Sequence, residues 1–149
     1  QLRAKVPEIE LTTDIIVGFP GETEADFKET LSLVEQVGYS AAYTFMYSPR
    51  KGTAAATMPD QIPDEVKHDR LERLNEVQSR VLRNGNMKYI GTCGEVLVEG
   101  CDHRSEPMAY GKLSNFKMVY FPGDDSLVGS MRNVKITGSQ NNSLIGELV

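Results

Sequence analysis

Thr13-Asp14-Ile15-Ile16-Val17 runs directly into Gly18-Phe19-Pro20-Gly21-Glu22, and Thr23 then opens a helix-forming segment. No other stretch restricts the fold as much. The β-branched run reads as a buried strand, and a loop shaped by two glycines and a proline leaves its C-terminal end. That is where β/α architectures place ligands. Thr23-Glu24-Ala25-Asp26 is a capping box, with Glu22, Glu24 and Asp26 at the positive end of the helix dipole. Phe27, Leu31 and Val34, flanked by Thr30 and Val37, make the packing stripe, and Gly38 supplies a left-handed terminus. Tyr43–Tyr47 is a second strand. Strand, capped helix and strand make a βαβ unit, so the two strands should be parallel neighbours with their following loops on one rim.

Alternation places Asp14, Ile16 and Gly18 on one face of the first strand and Thr13, Ile15 and Val17 on the other. Asp14 is the exception in an apolar run. It is either a structural carboxylate or a polar group facing a barrel lumen. The second strand ends in Ser48-Pro49-Arg50-Lys51-Gly52-Thr53. Arg50 offers a bidentate fork and Ser48 and Thr53 offer hydroxyls; the plain alternative is a solvated turn. Pro63-Asp64 opens a long helix to about Leu82, with Val66, Leu71, Leu74, Val77 and Val81 as its stripe. Lys67, Asp69, Arg70, Glu72, Arg73 and Glu76 read as a solvated outer layer, and His68 among them has no assigned role. Asn84-Gly85-Asn86 reads as the break that ends this helix.

Beyond it the rhythm changes to short strands with glycine turns. Glu95–Glu99, Met108–Leu113, Phe116–Phe121, Val134–Thr137 and Ser143–Val149 suggest a small five-stranded antiparallel barrel. The fold expected is therefore α/β plus small all-β, with a domain over residues 1–89 and another over 90–149.

Charge sets limits on partners. The net charge is −5, with 11 basic against 14 acidic residues in 1–89 and 5 against 7 in 90–149. Neither part has the basic excess that drives non-specific phosphate binding, so any RNA contact needs a local patch. Cys93 and Cys101 lack paired metal-ligand spacing, and only His68 and His103 could join them, so no metal site is expected. Two thiols without a secretory pattern fit a reducing, cytoplasmic setting. No apolar run approaches the roughly 18 residues of a membrane span. The chain opens on Gln1-Leu2-Arg3 rather than Met, which leads us to expect an excised or truncated segment.

Thr13–Thr23 and Tyr47–Ala55 together resemble the late barrel motifs of the radical-SAM methylthiotransferases. Val66-Lys67 through Val77-Gln78 is similar to the helix that leaves their barrel, and residues from about 90 onward to their C-terminal TRAM domain. The match covers nearly the whole chain in order. Val98-Glu99-Gly100, Gly111–Asn115 and Leu144-Ile145-Gly146 most resemble the type acting on isopentenyladenosine beside the tRNA anticodon. The ribosomal-protein and threonylcarbamoyladenosine types are the alternatives within the family, and a stand-alone RNA- or protein-binding module is the alternative outside it.

The resemblance implies a partial (β/α) barrel followed by an OB-like TRAM barrel. It implies S-adenosylmethionine and two [4Fe–4S] clusters in the complete enzyme. The six cluster cysteines of the family have no match here, because Cys93 and Cys101 lie in the wrong domain at the wrong spacing, so the segment alone should be inactive. By resemblance, Ile16, Val17 and Gly18 give apolar and backbone contacts to the adenine of the cofactor. Tyr47 and Ser48 border the same pocket, and Arg50 holds a polar group at its rim. Asp14 stands where the common glycine-rich pattern has its first glycine, and Glu22 is displaced by one. Arg104, Lys112, Asn115 and Lys117 are the candidates for RNA, against a bland reading as solvated side chains; Lys112 replaces a usual arginine. The implied partners are tRNA, through its anticodon stem-loop, and the missing N-terminal part of the enzyme. An uncovered sheet face would also favour oligomers or domain swapping.

Overall fold

Thr23 fixes where the first long helix begins. Its Oγ1 accepts from the Asp26 N–H at 3.2 Å while the Asp26 carboxylate accepts from the Thr23 N–H at 2.9 Å. Both Thr23 donors, hydroxyl and amide, hold the Asp26 carboxyl below its ordinary range. The computed structural model describes residues 1–103, 106–140 and 142–149. They form two compact units, Gln1–Leu82 and Arg83–Val149. The elements are α1 (Leu2–Lys5), β1 (Thr12–Val17), α2 (Glu24–Val37), β2 (Ala41–Met46), α3 (Asp64–Asn86), β3 (Cys93–Asp102), β4 (Met108–Lys112), β5 (Met118–Pro122), β6 (Met131–Gln140) and β7 (Ser143–Leu148).

In the first unit β1 and β2 pair in parallel, with Asp14 beside Tyr43, Ile16 beside Phe45 and Val17 beside Met46. Gly38 closes α2 at φ 63°, its N–H reaching Val34 O at 3.0 Å. Val17, Phe27, Val34 and Leu74 are wholly buried together, with Ile15, Leu31, Leu71, Val77 and Val81 packed around them. One face of the two-stranded sheet is thus covered by α2 and α3. The other face carries Asp14, Ile16, Tyr43 and Phe45, all exposed. Truncating Phe27 to Ala would remove roughly 3–5 kcal/mol from this core.

The long helix departs from its sequence reading in three ways. Val66, expected in the apolar stripe, is exposed, whereas Lys67 and Arg70, expected in solvent, are buried. The helix also passes through Asn84-Gly85-Asn86 and ends at Asn86, followed by a 3₁₀ turn at Met87–Tyr89. A tertiary contact overrides the weak local propensity: Asn86 is fully buried and its Oδ1 accepts from Lys117 Nζ at 2.9 Å. Because Asn86 and Tyr89 pack with the barrel, the compact units divide at Leu82/Arg83, before the 89/90 position the sequence suggested.

The second unit is a closed barrel of order β3-β4-β5-β7-β6. All pairs are antiparallel except β5 with β7, which run parallel through Val119–Leu144 and Tyr120–Ile145. The expected all-antiparallel barrel is corrected here, since a closure between distant strands leaves no local pattern. β3 and β6 each serve two neighbours, and each carries a bulge, at Val98/Gly100 and at Ile136/Gly138. Such bulges bend a strand enough to close a small barrel. Val96, Val98, Ala109, Val119, Phe121, Val134, Ile136 and Leu144 fill the interior. Phe116, read as the start of a strand, lies instead in the turn before β5 at φ 65° and is exposed.

Gly111 lets β4 approach β3, because a Cβ there would lie 2.0 Å from the Leu97 carbonyl oxygen. Backbone cannot yield as a side-chain tip does. Gly111→Ala should cost about 1–3 kcal/mol or more of barrel stability, read as a lower urea midpoint of the β-type circular dichroism. An unchanged midpoint would show that β3 and β4 do not approach this closely.

Candidate functional site

The loop after β1 is held from beneath by charge. Gly18 takes φ 74°, and a Cβ on it would fall 2.4 Å from Lys67 Cγ, so only glycine fits over the lysine stem. Its N–H donates to Glu22 Oε2 at 2.7 Å. Arg70 donates to the same oxygen at 2.6 Å and to the Glu22 carbonyl at 3.1 Å. Both side chains of this pair are largely buried. Arg73 reinforces the first turn of α2 by donating to Glu24 at 2.6 Å and to Asp69 at 2.8 Å. That hydrogen bond holds the Glu24 carboxyl below its ordinary range. Sequence reasoning missed Lys67 and Arg70. Their signal was available, since they share the helical register of Leu74, Val77 and Val81.

Above this support lies an open cleft of about 640 Å³, lined by Asp14, Ile16, Phe19, Phe45, Met46, Tyr47, Ser48, Arg50, Thr53 and Ala55. Four of the expected cofactor residues, Ile16, Tyr47, Ser48 and Arg50, therefore meet in one place. Asp14 joins them on the open face, which favours the second of its two readings. Val17 does not: its side chain is in the opposite core, and its carbonyl accepts from the Tyr47 N–H at 2.8 Å. Gly18 is committed to Glu22 and Lys67. The Tyr47 ring stands edge-on to Phe19 at 5.2 Å. Its hydroxyl is buried with no hydrogen-bond partner among the described residues. The cleft combines apolar walls, hydroxyls, the Asp14 carboxylate and the Arg50 guanidinium, a make-up that suits a small molecule with polar groups of both kinds.

In the barrel, the RNA candidates separate by role. Arg104 lies outside the described residues. Asn115 Nδ2 donates to the Tyr89 hydroxyl at 2.9 Å, and its Oδ1 accepts from the Lys117 N–H at 3.2 Å. Lys117 Nζ reaches Asn86 and lies 5.5 Å from the Tyr89 ring. Asn115 and Lys117 therefore build the β4–β5 turn. Lys112 is half-exposed and pairs with Glu99 at 3.0 Å. The outer face of β4 and β5 also carries Tyr110 and Tyr120, their ring centroids 5.6 Å apart. In five-stranded barrels of this type the second and third strands form a common nucleic-acid face.

Cys101, His103 and Asp125 also come together. Cys101 Sγ is 4.0 Å from His103 Nδ1, and His103 Nε2 is 3.1 Å from Asp125. One ligand atom from each of the three lies within 4.8 Å of those of the other two, a convergence that the spacing of the cysteines in the sequence did not lead us to expect. Burial, then the charges of Asp125 and Asp124, push the Cys101 thiol up, away from the thiolate that binds metals or attacks. No described helix is long and apolar enough to cross a membrane.

A family model for the TRAM domain matches residues 87–149, the stretch that contains the closed barrel. Over its whole length the chain is similar to the C-terminal region of tRNA-2-methylthio-N(6)-dimethylallyladenosine synthases. It is 51% identical over 149 residues to that of Thermoanaerobacter sp. (strain X514), covering 100% of this chain and 32% of the relative. It is 50% identical over 149 residues to that of Clostridium perfringens (strain SM101 / Type A), covering 100% and 33%. With that of Moorella thermoacetica it shares 49% over 148 residues, covering 99% and 33%. The chain thus spans about a third of the length of the curated relatives it matches.

Removing the Glu22 carboxylate leaves the buried Arg70 with the Glu22 carbonyl and only the more distant Glu24 carboxylate, at 3.8 Å. Glu22→Ala should destabilise the first unit by about 3 kcal/mol and free the Gly18 amide to exchange with solvent. Hydrogen exchange at Gly18 that stays slow in this variant would contradict the support assigned to Glu22.

Proposed function

We propose that this chain is the C-terminal part of a tRNA methylthiotransferase acting on an N6-dimethylallyl (isopentenyl) adenosine. Its α/β unit would supply one wall of the S-adenosylmethionine site, and its barrel would bind the RNA. The observation that carries the reading is the correspondence of the entire chain to the C-terminal third of synthases of that name.

The cleft on the open face of β1 and β2 supports the first assignment. Ile16 and Phe45 offer flat apolar contact to a purine, and the buried Tyr47 hydroxyl offers a hydrogen bond that no described residue takes up. Arg50 offers a charge-assisted fork to a carboxylate at the rim. S-adenosylmethionine, bound with an iron–sulfur cluster, supplies radical chemistry that protein side chains cannot. This chain orients the nucleoside part and keeps water from it. The cluster is held elsewhere, since the chain's two cysteines, Cys93 and Cys101, are both in the barrel unit. The exposed face of Ile16, Tyr43 and Phe45 would then line the interior of the barrel that further strands, pairing at the edges of β1 and β2, complete.

Expression of the complete protein in a strain lacking this modification should restore 2-methylthio-isopentenyladenosine in its tRNA, read by nucleoside mass spectrometry. If only a methylthio-aspartate in a ribosomal protein, or only the threonylcarbamoyl nucleoside, is modified, the substrate assignment fails.

For the barrel, Lys112 contacts RNA only by leaving Glu99. Lys112→Ala should weaken RNA binding and lower the slope of log affinity against log salt by about one. Glu99→Gln should tighten binding roughly two- to threefold, the scale of an exposed ion pair. Titrations insensitive to both changes would remove Lys112 from the RNA surface.

A further inference from the structure

The turn between β4 and β5 presents an aromatic ring to solvent at a cost in backbone conformation. Phe116 is 83% exposed, more than any other large hydrophobic side chain among the described residues. Its φ of 65° is a left-handed value that disfavours a bulky side chain, and turns at such positions normally use glycine, asparagine or aspartate. Folding therefore gains nothing from this ring. The turn is nevertheless tightly determined. The Phe116 N–H donates to Leu113 O at 2.9 Å and the Leu113 N–H to Lys117 O at 3.0 Å. Asn115 is tied to Tyr89, and Lys117 to the fully buried Asn86.

We propose that Phe116 is a stacking platform for an unpaired nucleobase of the bound RNA, held ready by Asn115, Lys117, Tyr89 and Asn86. The inference rests on the reading of the barrel as RNA-binding and names a contact within it. A strained conformation that surrounding groups enforce points to function, because strain without a return is otherwise lost. The choice of a base over an apolar protein surface follows from the company of the ring. Lys112 stands across the hairpin opposite Met118 and is half-exposed, while the Lys117 ammonium is turned to Asn86 and the Tyr89 ring. An apolar partner would have to desolvate the Lys112–Glu99 pair, whereas a nucleotide brings a phosphate toward Lys112 and a flat π-face to the ring. Tyr110 and Tyr120 continue the aromatic surface along the same two strands. Within β5, Met118 and Tyr120 lie on the face opposite the buried Val119 and Phe121, and Phe116 precedes them at the tip of the hairpin.

The chain contains no tryptophan, so Phe116→Trp introduces a single fluorescent reporter at the position in question. The 149-residue chain and its variants would be titrated with a short oligoadenylate and with an abasic strand of the same length, at several salt concentrations. Phe116→Trp should bind oligoadenylate like the parent and show quenched fluorescence on saturation, with no quenching by the abasic strand. Phe116→Ala should bind roughly tenfold more weakly, the usual loss for one stacked base, with an unchanged salt slope because no phosphate contact is removed. Phe116→Asn, which suits the left-handed backbone, should lose the same affinity while keeping or raising the urea midpoint, so that lost binding is not lost folding. If the parent binds and Phe116→Ala binds equally well, stacking is refuted while the RNA reading stands. A change in sedimentation with RNA affinity intact would assign the ring to a protein contact and also refute it. If the parent itself binds neither strand at low salt, the RNA reading of the barrel fails, and this inference with it.

Discussion

One carboxylate organises the ligand-facing end of the α/β unit. Glu22 accepts from the Gly18 amide and from the Arg70 guanidinium through the same oxygen, tying the loop after β1 to the flank of α3. A buried cation without this partner would be expensive, and a loop without it would have an unsatisfied amide at its apex. Lys67 completes the arrangement by filling the space beneath Gly18. The loop is therefore set by α3, which contributes no residue to the cleft above it. Substitutions on that helix would be felt at the site through the loop.

A two-stranded sheet with one face buried under two helices is incomplete by the ordinary logic of parallel sheets, which are covered on both sides. Here the second face carries Ile16, Tyr43 and Phe45 in the open, beside the carboxylate of Asp14 and the guanidinium of Arg50. An exposed apolar face beside an open cleft is what the proposed function reads as the inner wall of a larger barrel. The barrel unit has the opposite character. Its core is complete, its strands close on themselves, and its open surface is an aromatic and cationic hairpin.

Much of this was legible in the residues. The Thr23–Asp26 box, the Gly38 terminus, the parallel pair and the five barrel strands all follow from short-range patterns, and Ile16, Tyr47, Ser48 and Arg50 meet where the two loops were expected to share a rim. What could not be read comes from contacts between distant segments. Lys67 and Arg70 share the register of the apolar stripe, which hinted at burial, but the loop they meet lies more than forty positions away in sequence and leaves no mark on α3 itself. The passage of α3 through Gly85 depends on Lys117 reaching Asn86. The parallel closure of β5 on β7 has no local signature. Two of the RNA candidates, Asn115 and Lys117, tie their turn to Tyr89 and Asn86, while Phe116, read as the start of a strand, is its exposed tip. Side chains that hold a binding loop and side chains that touch a ligand share the same residue types, and only their partners distinguish them.

The division of labour between the two units is tested most directly by amide hydrogen exchange on the complete enzyme, with S-adenosylmethionine and with tRNA added separately. The account predicts that S-adenosylmethionine slows exchange in the loops after β1 and β2, at Tyr47, Ser48 and Arg50, and leaves the barrel unchanged. It predicts that tRNA slows exchange in the turn and strands from Tyr110 to Tyr120. Protection of the barrel by S-adenosylmethionine, or loops at Ser48 and Arg50 indifferent to it, would contradict the account.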